Sequence, residues 1–142
     1  IVDVATSILR ARVAETGRKD GWWSVPPREF PRIRHHPYWR QVVEQAHFVC
    51  NQIAADRERF GEERFLEVRY EALCDAPRDQ LDRVGGFLAA RGVAPCASGE
   101  LPERFVRPNA AMRRLEPDDD EERIRRFAAG DPRDWLEPSV ER

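Results

Sequence analysis

The stretch that most constrains this chain is Arg64 to Leu88, RFLEVRYEALCDAPRDQLDRVGGFL. Phe65, Leu66, Val68 and Tyr70 form a short, mostly apolar, partly alternating run, which predicts a strand largely buried in an α/β sheet. A turn through Asp75 and Pro77 follows. Asp75 is suited to cap a helix, and Pro77 can occupy the first helical turn because no N–H is needed there. Leu81, Val84, Phe87 and Leu88 then recur on one helical face. The reading is strand, tyrosine, helix. In open α/β sheets ligands sit outside the carboxyl ends of strands, which is where Tyr70 falls.

From the start of the chain, Val4, Ile8, Leu9 and Val13 predict an amphipathic helix ending near Gly17. Arg18 to Pro37 carries Trp22, Trp23, Pro26, Pro27, Phe30, Pro31 and Pro37, so no continuous helix is expected there and the segment reads as an ordered binding loop or lid. His35 and His36 are neighbours, cannot share a helical face and have no ligand at metal spacing, so they read as helix-entry residues. A second helix is expected from Tyr38 to Phe60, stopped by Gly61. Its buried stripe would hold Trp39, Val42, Val43, Ala46, Val49, Cys50, Ile53 and Phe60, with Arg40, Glu44, Arg57, Glu58 and Arg59 on the solvated side. Beyond a loop from Val93 to Pro108, Asn109 can cap a short helix ending near Leu115. Pro117 and the Asp118–Asp120 cluster can open another that carries Ile124 and Phe127, and Trp135 can pack back on the core.

Charge narrows the function classes. Twenty-four Lys+Arg against 26 Asp+Glu leave −2, so there is no overall basic field of the kind that nucleic-acid binding calls for. Lys19 is the sole lysine, and the other cations are arginines, the residue suited to bidentate anion contacts. Cys50, Cys74 and Cys96 are odd in number and widely spaced. They read as reduced thiols of a cytoplasmic protein rather than a metal pair or disulfide framework. No run is long and apolar enough for a membrane span, and no secretory signal layout opens the chain. Ile1 leads directly into a helical pattern, as in a piece of a longer chain.

The run EVRYEAL, then DAP, an amphipathic helix and FL, resembles the VRYEDL-x-x-DP segment and following helix of the sulfotransferase family, enzymes that use 3′-phosphoadenosine-5′-phosphosulfate. A second resemblance covers Asp3, Val4 and Ser7, which match the latter half of that family's Arg-x-Pro-x-Asp-Val-x-x-Ser element, with Ile1 where proline is usual. The resemblance implies an α/β fold: a partial P-loop NTPase-like sulfotransferase domain spanning 1–142, mostly helical, with one or few parallel core strands and without the N-terminal phosphosulfate-binding loop. It implies that Ser7 binds the 3′-phosphate, Tyr70 lines the adenine side, and Arg113 or Arg114 supplies a closing cation. Trp22 and Trp23 would contact a small-molecule or carbohydrate acceptor.

The implied reaction transfers a sulfuryl group to a hydroxyl or amine by in-line displacement, with cations neutralising the leaving phosphate and no metal. No glycine-rich strand-to-helix turn with a basic residue occurs in the chain, so it is expected to be an incomplete, inactive half with no assigned catalytic residue. Its uncovered sheet surface would favour self-association. The competing reading is a non-catalytic helical module whose Trp/Pro-rich loop and exposed apolar faces bind a protein partner.

Overall fold

A computed structural model describes residues 1–96, 99–106 and 119–136. Among them every regular element is helical. The helices are α1 (Val2–Thr16), α2 (Phe30–Ile33), α3 (Tyr38–Phe60), α4 (Tyr70–Asp75), α5 (Pro77–Ala89) and α6 (Asp120–Ala128), with 3-10 turns at Glu62–Arg64 and Pro132–Leu136. The chain divides into two units, Ile1–Arg59 with Leu115–Arg142, and Phe60–Arg114.

This corrects the expected α/β, P-loop-like fold, since no strand exists among the described residues. The cause is local. Residues 65–69 do leave the preceding turn and enter α4 in extended backbone, Phe65 at φ −118°, ψ 139° and Arg69 at φ −76°, ψ 134°. A strand, however, also needs a neighbouring segment to complete its ladder, and no ladder is formed here among the described residues. Without a sheet among the described residues there is no sheet surface there, and the self-association expected from it is unsupported.

In the first unit, α1 ends where Gly17 adopts φ 71°, so that its N–H reaches the Val13 carbonyl. The face α1 buries is Ala5, Leu9 and Arg12, not the expected Val4 and Val13, which are exposed. Ala5 and Leu9 pack with Val42, Val43, Ile124 and Trp135, and Val2, Ile8, Tyr38, Trp39 and Phe127 border that core. Fully burying an aliphatic chain such as Leu9 or Ile124 contributes about 1.5–3 kcal/mol. Trp135 packs back as expected, stacked on Phe127 at 4.7 Å with its other side edge-on to His47 at 5.1 Å. The buried stripe of α3 is shifted toward its first half, so that Glu44 is fully buried while Cys50, Ile53 and Phe60 are exposed.

The second unit is built on α4 against α5. Pro77 opens α5 as expected, but Ala76 stands at its N-cap and Asp75 closes α4 instead of capping α5. Cys74, Pro77 and Gln80 are buried, whereas Leu81 is exposed.

Candidate functional site

Two constructions stand out from ordinary packing, one in each unit. In the first, a buried polar network holds the Trp/Pro-rich segment. Arg12 has no solvent exposure, and its two terminal nitrogens donate to Gln41 Oε1 at 2.8 Å and Gln45 Oε1 at 2.9 Å. Each glutamine is thereby oriented, because its Oε1 is occupied and its Nε2 must donate elsewhere. Gln41 Nε2 donates to the carbonyls of Arg34 and His36, and Gln45 Nε2 to those of Trp23 and Val25. Trp22 covers the guanidinium at 4.6 Å and meets Phe30 edge-on at 4.5 Å. Arg12 Nε has no partner among the described residues. Burial pushes the Arg12 guanidinium down to about 10, opposed by Asp20, so it remains a cation at neutral pH.

Around this network lie two buried carboxylates. Glu44 receives His36 Nδ1 and Arg40 Nε, each at 2.8 Å. Arg40 also donates to the Trp135 carbonyl. Asp120 receives Lys19 Nζ at 2.5 Å and the Tyr38 hydroxyl at 2.6 Å. Removing one partner from such a buried group costs far more than the net worth of the pair. Burial first, and the Asp120 hydrogen bond second, raise the Tyr38 phenol above its ordinary value of 10.0. The folded state therefore binds the phenolic proton more tightly than the unfolded chain. Its stability falls as pH rises from about 10 through the higher folded value. Spectrophotometric titration should show one of the two tyrosines ionising late, together with the onset of unfolding. Ionisation of both at or below the ordinary phenol range would contradict this assignment.

In the second unit, residues 65–69 present one used and one unused edge. Phe65 N–H donates to Glu62 O, Glu67 O accepts a long contact from Arg83 at 3.4 Å, and Arg69 O accepts from Leu73 N–H at 2.9 Å. These are alternate residues, and in extended backbone alternate residues direct their amides to the same side. The opposite side belongs to Leu66 and Val68, whose amide groups meet no partner among the described residues. Their side chains are half-buried in the unit, so the segment's position is set while that edge remains open.

The residues expected to form a nucleotide site are distributed as follows. Ser7 is exposed on α1 in the first unit, opposite in burial to Ala5, Leu9 and Arg12. Trp22 is half-buried by Phe30 and Arg12, and Trp23 is exposed. Tyr70 is the half-exposed first residue of α4 in the second unit. Arg113 and Arg114 lie outside the described residues. His36 serves Glu44, while His35 Nε2 accepts from Arg34 Nε at 3.0 Å. The sequence reading missed Arg12, Gln41, Glu44, Gln45 and Asp120. The signal was present, because Arg12 continues the Ala5–Leu9 face at helical spacing.

No family model, curated protein or solved structure matches this chain. No helix among the described residues is long and apolar enough to cross a membrane. Nor do those residues gather three or more His, Cys, Asp or Glu side chains where a metal could be held.

Proposed function

We propose that the chain is a non-catalytic helical interaction module that lends residues 65–69 as a strand to the open sheet edge of a protein partner. The observation that carries this is the open Leu66/Val68 edge on a segment whose other edge is engaged at Phe65 N–H, Glu67 O and Arg69 O. Main-chain pairing supplies affinity in this recognition mode, and alternate side chains supply specificity. Val68 and Leu66 also have the β-favouring, apolar character that a sheet partner would cover. The free cysteines accord with a reducing, cytoplasmic setting.

Register makes the test sharp. Val68→Pro removes a donor from the open edge, whereas Glu67→Pro removes one from the opposite side. A partner identified by cross-linking at residue 66 should lose at least about tenfold in affinity for Val68→Pro, the equivalent of about one backbone hydrogen bond, and much less for Glu67→Pro. Equal affinity for both variants and the parent would exclude strand pairing by this edge.

A second reading, contribution to sulfuryl transfer from 3′-phosphoadenosine-5′-phosphosulfate, is favoured by one arrangement. Extended backbone runs directly into a helix at Tyr70, in the order that the resemblance implies, and Tyr70 and Ser7 are both accessible. On this reading the chain alone binds the nucleotide weakly. Calorimetry with 3′-phosphoadenosine-5′-phosphate, on this chain and on one extended upstream by a strand and basic glycine loop, should give tight binding only to the extended form. Ser7→Ala with Tyr70→Phe should weaken it by tenfold or more, about 1.4 kcal/mol. Indifference of both forms to the nucleotide removes this reading and leaves the interaction module untouched.

A further inference from the structure

We propose that the tip of the Trp/Pro-rich segment, Trp23–Pro26, is a peripheral anchor for an anionic lipid bilayer surface. The inference is independent of residues 65–69 and rests on how the tip is built. Trp23 is 39% exposed and Val25 65%, two apolar side chains turned to solvent on either side of Ser24. Ser24 holds a left-handed φ of 72°, which a residue with a side chain adopts only when its surroundings impose it. Those surroundings are visible: buried Gln45 grips the carbonyls of Trp23 and Val25, and the Trp22 indole N–H reaches the Ser24 carbonyl at 3.2 Å.

The consequence is an unusual polar balance. The carbonyls of Trp23, Ser24 and Val25 each accept a hydrogen bond from the protein's own side chains, and Pro26 and Pro27 have no N–H. Entering the headgroup region is costly for backbone that must give up water, and here the acceptors are already served. What remains at the tip are the N–H groups of Trp23, Ser24 and Val25, which meet no acceptor among the described residues. Donors without acceptors match phosphate oxygens.

Charge points the same way, because residues 18–36 hold five cations against two acids in a chain whose net charge is −2. Arg28 and Arg34, both exposed, are not among the ion-paired arginines of the described residues. Trp22 packs on Phe30 of α2, so these arginines flank the same loop. An exposed tryptophan with flanking arginines suits the interface of a bilayer rich in anionic lipid, where each nearby cation adds attraction and the indole sits at headgroup level. A soluble acidic protein would satisfy the arginines but gives no use to a tip whose Trp23, Ser24 and Val25 carbonyls are already hydrogen-bonded within the protein.

The test is co-flotation of the full chain with vesicles of phosphatidylcholine alone and with roughly 30% phosphatidylserine added. Binding should require the anionic lipid, weaken with salt, and fall about tenfold or more for Trp23→Ala and for Val25→Asp. Brominated lipid should quench the fluorescence of the parent and quench that of Trp23→Phe much less. Both positions are exposed, so unchanged circular dichroism separates loss of the anchor from loss of fold. No preference for anionic over neutral vesicles, retention of binding in both variants, or equal binding to a soluble poly-glutamate peptide would each overturn the proposal.

Discussion

Replacing Arg12 with methionine should destabilise the first unit by roughly 3 kcal/mol, seen as a fall of about 10 °C in its melting temperature. The side chain is fully buried and fills its space, so methionine recovers part of the packing. What methionine lacks is the pair of donors. Gln41 Oε1 and Gln45 Oε1 would each be left without the hydrogen bond they now receive. A buried acceptor without its partner costs about 1–3 kcal/mol. The losses should not be additive: Gln41→Leu and Gln45→Leu each remove an acceptor of Arg12 and also the donor to two backbone carbonyls, so the three single variants disrupt one shared network and the triple variant should cost less than the sum of their separate losses. The comparison distinguishes a network that matters through satisfaction of its members from an arginine that matters through its charge. Thermal denaturation of the single and triple variants decides it, and a triple variant less stable than the parent by the full sum of the separate losses would contradict this account.

Truncation of Trp135 to alanine should cost about 4 kcal/mol, the range for an aromatic removed from a packed core. The indole is 4% exposed, stacks on Phe127, meets His47 edge-on and borders Ala5, Leu9, Val42, Val43 and Ile124. Its loss opens a cavity between α3 and the 3-10 turn that follows α6. Trp135→Phe preserves the stack and should cost much less. Urea denaturation followed by far-ultraviolet circular dichroism measures both; an alanine variant within about 1 kcal/mol of the parent would mean that the C-terminal turn is not integral to this core.

The legible parts of this molecule were those specified by local chemistry. Gly17 ends α1, Gly61 follows the last residue of α3, and Pro77 opens α5. Each position depends on what one residue's backbone can do. Trp135 was also legible, because a large apolar side chain near the end of a polar stretch has few places to go but the core. Arg12 was signalled only by its place on the Ala5–Leu9 face, and Glu44, Gln45 and Asp120 were not legible, since such residues are usually solvated and their burial depends on partners distant in sequence, up to the pairing of Lys19 with Asp120. Residues 65–70 were read as a strand buried in a sheet, and no strand forms among the described residues, although Phe65 and Arg69 are extended. Alternation reports the conformation of one segment, whereas a ladder is a property of two. Of the expected site residues, Ser7, Tyr70 and Trp23 are accessible, Trp22 is engaged by Arg12 and Phe30, and Arg113 and Arg114 lie outside the described residues.

Amide hydrogen exchange resolved at Leu66 and Val68 addresses the open edge most directly. In the isolated chain both amides should exchange as fast as those of an unstructured peptide, while the Leu73 and Ala76 amides, bonded to Arg69 and Ala72, are slowed. Addition of the sheet partner should protect Leu66 and Val68 together. Protection of those two amides in the chain alone, at the level of Leu73 and Ala76, would mean that the edge is already closed and that the strand is not available to lend.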